Sequence, residues 1–219
     1  MAILKNSPVG KLSGKIGPTV YRISKGRVIV AVAPAAYTIS QTPKAVRSRN
    51  ILYSYSKFSS AVNKILPLAG IWNETDFRGS TSYRKIVNFN SKKLKGEFLS
   101  VNNLIAPQSL KVPVKSMNYA PGSLDVTLAD DAFEPAASDF TLHLLLALIK
   151  PKKAKTEFIF TKPLFKKIDK DQFTVSFALD KTFTIEVPKY TELLVYPCLT
   201  FLENNKINWF TDSATLFNL

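Results

Sequence analysis

Beyond residue 100 the chain breaks into short apolar segments separated by turn signals, and this pattern limits the possible folds more than any other. Only one glycine, Gly122, remains there, while eleven of the fifteen phenylalanines fall in this stretch. The segments span residues 110–114, 124–128, 140–149, 156–161, 172–179, 182–187, 192–202, 207–211 and 214–217. In 172–179, Phe173, Val175 and Phe177 alternate with Thr174 and Ser176; in 182–187, Phe183, Ile185 and Val187 alternate with Thr184 and Glu186. A period of two sends successive side chains to opposite faces of a strand. Seven or more such strands in ~110 residues predict an antiparallel β-sandwich of immunoglobulin or fibronectin type. Asn204-Asn205 suits the last hairpin turn, since asparagine tolerates the left-handed region. Tyr196-Pro197-Cys198 is superficially similar to the Tyr-x-Cys of an immunoglobulin strand, but Cys198 is the sole cysteine and no intrachain disulfide forms.

The first hundred residues have another texture. Thr19-Val-Tyr-Arg-Ile23 and Arg27-Val-Ile-Val-Ala-Val32 are β-branched runs separated by Ser24-Lys25-Gly26, which predicts a hairpin with a three-residue turn. An isolated hairpin is marginal in water and must pack on something. Thr42-Pro43 reads as an N-cap followed by proline in the first helical turn. Ile51, Tyr55, Phe58, Val62 and Ile65 then recur at helical spacing, and Leu66-Pro67 is expected to end that helix. Residues 68–79 read as irregular. Ser80 or Thr81 is expected to cap a second helix running to about Lys93, with Lys92, Lys93 and Lys95 complementing its dipole.

Charge divides the chain in the same place. Residues 1–100 hold 17 Lys+Arg against 3 Asp+Glu, whereas residues 101–219 hold 13 of each. The first acid is Glu74, and all six arginines precede residue 85. Such polarity points to an acidic partner for the leading part: nucleic acid, an anionic protein face or a membrane surface. The residues expected to contact it are Lys11, Lys15, Arg22, Lys25, Arg27, Lys44, Arg47, Arg49 and Lys57. No helix-turn-helix, zinc-finger or RNP-type sequence accompanies them, so nucleic-acid contact would be directed at the backbone.

Groups able to carry chemistry are few. Gly10-Lys-Leu-Ser-Gly-Lys-Ile-Gly17 has Lys15 where a phosphate loop requires its second glycine, and it lacks the following Lys-Ser/Thr pair. His143, the one histidine, sits in a leucine run and reads as structural. Cys198 reads as a small buried hydrophobe. Asp130, Asp131, Glu134 and Asp139 lie in a Pro/Ala-rich loop without a calcium-loop pattern and read as solvated. No apolar run approaches the ~20 residues of a membrane helix, and the N-terminus lacks a classical signal peptide. The expectation is a protein with no catalytic, cofactor-binding or metal-binding residues.

The order of features resembles an uncharacterised family of Bacteroidota and their phages. The resemblance rests on Gly10-Lys-Leu-Ser-Gly-Lys-Ile-Gly-Pro-Thr-Val-Tyr-Arg22, on Thr42-Pro43 opening a helix with Arg47-Ser-Arg49, and on the closing Ser213-Ala-Thr-Leu-Phe-Asn-Leu219. Ser13-Gly14-Lys15-Ile16-Gly17 matches the family's Ser-Gly-Lys-x-Gly hairpin; Ala45 or Val46 stands where its helix usually has glutamine. The resemblance implies a closing immunoglobulin-like domain and, through its occurrence in phage genomes, a virion or assembly component. The sequence reading is therefore α+β, mainly β: a basic hairpin–helix region over 1–98 and an antiparallel immunoglobulin-like sandwich over 99–219. The expected function is a non-enzymatic structural protein, capsid- or tail-associated, located in the virion or host cytoplasm. Its expected partners are other structural subunits in a homo-oligomer or multi-protein assembly, without membrane insertion; the alternative is an intracellular nucleic-acid-binding protein using the basic N-terminal region.

Overall fold

The computed structural model describes residues 2–4, 14–24, 27–32, 39–153 and 156–219. The chain divides into two compact units, Met1–Thr42 and Pro43–Leu219. Among the described residues there are four α-helices and antiparallel sheets, with 41% of those residues in strands, an α+β protein that is mainly β.

The first unit is one sheet. Strands β1 (Ala2–Leu4), β2 (Gly14–Ile16), β3 (Thr19–Ser24) and β4 (Arg27–Val32) are arranged in the order β1-β4-β3-β2. The β2–β3 connection is Gly17-Pro18, with Gly17 at φ +57°. A left-handed first position followed by a ring that holds φ near −65° meets the φ requirements of a tight hairpin turn. At the other end Ser24 pairs with Arg27, so the β3–β4 connection is two residues rather than the expected three. Those two, Lys25 and Gly26, lie outside the described residues. Strands β1 and β2 widen the expected hairpin on both sides.

The second unit begins with α1 (Pro43–Asn63), α2 (Leu66–Glu74) and α3 (Ser82–Asn90). Pro67 ends α1's run but sits in the first turn of α2, where its missing N–H costs nothing. The stretch expected to be irregular is thus partly helical. Thr81 caps α3, its side chain accepting from the Arg84 N–H. After α3 come β5 (Val114–Ala120), β6 (Ser123–Leu128), β7 (Ser138–Pro151), β8 (Phe160–Lys167), β9 (Thr174–Ala178), α4 (Lys181–Glu186), β10 (Tyr190–Glu203), β11 (Lys206–Thr211) and β12 (Thr215–Asn218). The expected strand at 182–187 is the helix α4. Asp180 caps it by accepting from the Phe183 N–H, and its carboxyl also meets Lys162. Those two partners, the lysine's hydrogen bond first, hold the Asp180 carboxyl down at about 2. The expected strand at 110–114 lies ahead of the observed β5, and that at 156–161 starts before β8.

Two sheets follow, β5-β6-β9 and β11-β10-β7-β8, with β12 also pairing β10. One core joins them: Leu124, Val126, Leu128, Val175 and Phe177 from the smaller sheet meet Leu142, Leu144, Leu146, Leu148, Leu193, Val195, Leu199 and Phe201 from the larger. The other face of the larger sheet carries Leu145, Ala147, Ile149, Leu194, Tyr196 and Cys198. It shares a second core with Phe58, Val62, Leu68, Trp72 and Ile86 of the three helices. β7 and β10 are thus buried on both faces, which is why 142–149 is a continuous apolar run rather than an alternating one. The expected partition at residue 98 does not coincide with the division into units, because α1–α3 share a core with the sheet.

Two details hold these layers. Pro197 interrupts a central strand where β10's neighbour on one side changes, from β12 at Val195↔Thr215 to β11 at Cys198↔Thr211. Proline is tolerated at such a break in the ladder, and the Thr211 hydroxyl donates to the Pro197 carbonyl. The segment 94–113 crosses between the helices and the strands with little regular structure, yet 103–107 are buried. Side chains supply its hydrogen bonds: Trp72 Nε1 donates to the Ile105 carbonyl (2.9 Å), Trp209 Nε1 to Pro107, Tyr196 to Ser100 and Asn90 Nδ2 to Leu104. Buried backbone groups need such partners wherever a sheet or helix does not provide them. Asn204 and Asn205 (φ 52° and 59°) turn β10 into β11, in agreement with the sequence reading.

Candidate functional site

The register of the first sheet sorts its side chains. Lys15 pairs with Val20, Arg22 with Ile29 and Ser24 with Arg27. Because facing residues share a side and the pleat has a period of two, Lys15, Arg22 and Arg27 lie on one face, with Val20, Ile29 and Ala31 between them. All three cations are exposed. The opposite face carries Ile16, Thr19, Tyr21, Ile23, Val28, Val30 and Val32, with no charge. Lys15 and Arg22 are diagonal neighbours, as are Arg22 and Arg27, a spacing of about 7–8 Å. The unit holds six Lys+Arg and no acid. Lys11 and Lys25 lie outside the described residues.

The remaining expected contacts lie on α1. Lys44, Arg47 and Arg49 are exposed in its first two turns, before the first fully buried residue, Ser54. Lys57 is different: its ammonium sits 2.6 Å from Glu157, which also accepts from the Tyr53 hydroxyl. That arrangement raises the Lys57 pKa, chiefly through the Glu157 hydrogen bond. The Glu157 carboxyl feels some desolvation, but Lys57 and Tyr53 outweigh it and the pKa is lowered. Lys57 therefore joins α1 to the β7–β8 connection and is not an open cation.

The lysines after α3 sit beside two clefts. Lys93 Nζ lies 4.0 Å above the Phe89 ring, and burial lowers its pKa. An open cleft of about 610 Å³ is lined by Lys92, Lys93, Asn102, Gln108, Asp212 and Ser213. Another, of about 720 Å³, has more apolar walls, including Phe98, Leu99, Leu194 and Leu216. Their linings come from distant segments, so no local signal marks them in the sequence.

His143 and Cys198 face each other across β7 and β10, a juxtaposition that sequence reasoning missed. Both are buried. Burial brings the imidazole down to about 4 and pushes the thiol up. A reactive thiolate–imidazolium pair requires both shifts in the opposite sense. His143 Nε2 is instead 3.0 Å from the Thr200 hydroxyl, and Nδ1 has no partner among the described residues. Cys198 points to the helix-covered face, away from the core shared by the two sheets, so its likeness to an immunoglobulin cysteine does not extend to its orientation. Three acids of the Pro/Ala-rich loop meet separate lysines: Asp130 meets Lys115 (3.3 Å), Glu134 meets Lys111 (2.7 Å) and Asp139 meets Lys167 (3.9 Å).

Comparison with protein-family models, with curated proteins and with solved structures gives no match to this chain.

Proposed function

We propose that the chain is a non-enzymatic structural protein that works through protein–protein contacts, a capsid- or tail-associated subunit of a bacteriophage particle. The observation that carries this reading is the two-sided N-terminal sheet. One face is cationic and the other apolar, yet across residues 14–23 and 27–32 Val28 alone is buried. Val32 is 82% exposed and Ile16 55%. A single sheet layer gains stability only when a face is covered, so its working state is a bound one. The resemblance of Ser13-Gly14-Lys15-Ile16-Gly17 and the flanking motifs to a phage-borne family supports the particle assignment.

The second unit supports the role of a rigid module. With β5 to β11 in order taken as strands A, B, C, C′, E, F and G, the sheets are ABE and GFCC′. That order supports an immunoglobulin-like sandwich without a D strand, to which a helical layer is added. Light scattering on the full chain tests the assembly reading: an oligomer, or the protein in purified particles, supports it. A strict monomer absent from particles defeats it. The cationic face specifically favours a second reading, nucleic-acid binding through the backbone. Steeply salt-dependent binding of DNA or RNA supports that reading.

A further inference from the structure

We infer that Lys15, Arg22 and Arg27 form a stripe that tracks the phosphate backbone of a nucleic acid, without reading its sequence. The inference rests on the second reading above and assigns it to one face of one sheet. Taking β3 as a ruler, Lys15 of β2 stands opposite residue 20, Arg22 of β3 stands at residue 22, and Arg27 of β4 stands opposite residue 24. The three cations advance by equal steps, one strand across and two residues along, so they follow one diagonal of the sheet.

Each step is about 7–8 Å, roughly two phosphate rises along one strand of a duplex. Evenly spaced charges of one sign match a polymer that repeats its charge; a protein interface instead presents a mixed polar rim around an apolar centre. Two of the three are arginines, whose planar fork binds phosphate oxygens in pairs. No acid occurs anywhere in the unit, so nothing within it neutralises the stripe. Val20, Ile29 and Ala31 between the cations offer neither an aromatic ring for base stacking nor a polar group, so binding falls to the cations, and phosphate is the target that every sequence presents to them.

The test is fluorescence anisotropy of labelled single-stranded and duplex DNA of arbitrary sequence, titrated with the full chain across a salt series. The comparison variants are the triple K15Q/R22Q/R27Q and a control of equal charge loss, K152Q/K181Q/K206Q, at exposed lysines of the second unit. Circular dichroism melts establish that both fold. The stripe variant is expected to bind roughly tenfold weaker or worse, with the slope of log affinity against log salt reduced by about 2–3, while the control stays near wild type. Equal loss in both variants, or none in the stripe variant, overturns the stripe and leaves the nucleic-acid reading standing. No binding by the wild-type chain at low salt overturns both, in favour of an acidic protein face as the partner.

Discussion

The N-terminal sheet and the β7–β10 pair are built from the same antiparallel ladder, but they meet their surroundings in opposite ways. β7 and β10 lie between two cores: Leu142, Leu144, Leu146 and Leu148 enter one, Leu145, Ala147 and Ile149 the other. Across residues 14–23 and 27–32 the N-terminal sheet buries one side chain, Val28. The difference teaches where rigidity and adaptability reside. A strand packed on both faces loses contacts whichever way it moves, whereas a sheet with open faces contributes little to global stability and opens at low cost.

The largest expected effect is a direct test of that contrast. Leu146→Ala, at a fully buried site, should cost about 3–4 kcal/mol in chemical denaturation. Val32→Ala, at an 82% exposed site, should cost under about 0.5 kcal/mol. Similar losses would break the comparison.

A second prediction concerns acid. The folded His143 imidazole titrates at about 4 instead of 6.5 because burial penalises its charged form. Between those values the unfolded chain takes up the proton and the folded chain does not. Stability should therefore be complete above pH 6.5 and decline towards pH 4, by up to about 3 kcal/mol. Subtracting the pH profile of His143→Leu isolates this contribution; parallel profiles would remove His143 from the account.

Next in size is Trp72→Phe, which strands the buried Ile105 carbonyl. A loss of about 1–3 kcal/mol is expected, with faster hydrogen exchange in 103–107. The smallest effect belongs to Glu157→Gln. The Lys57–Glu157 pair is about two-fifths exposed on each side, so solvent screening should hold the loss below about 1 kcal/mol. Urea midpoints measured at two salt concentrations would sharpen this, since the effect should shrink as salt rises.

Legibility in the sequence followed local patterning. β6, β9, β11 and β12 show alternation or clear turn boundaries. β7 and β10 were readable as long apolar runs, although their burial on two sides was not, because it depends on helices supplied from elsewhere in the chain. The alternating Thr182-Phe-Thr-Ile-Glu-Val187 misled: six residues suit either period, and the Asp180 cap with its Lys162 partner decided for a helix. α2 was hidden because proline after Leu66 serves equally as a stop and as a first-turn residue. The nine candidate cations were legible as types and not as a site. Sorting them required the register that brings Lys15, Arg22 and Arg27 to one face, and it required Glu157, a hundred positions from Lys57, to show that this lysine is already engaged.

The helical layer has a practical consequence for anyone cutting this chain. Removing everything before residue 99 would strip the cover from Leu145, Ala147, Leu194 and Tyr196 and leave a greasy wall along the two longest strands. Exposed apolar patches of that kind drive aggregation, so such a fragment should precipitate or recruit detergent. The smallest soluble piece is expected to start at the beginning of α1, which makes the helices part of the β module rather than an arm attached to it.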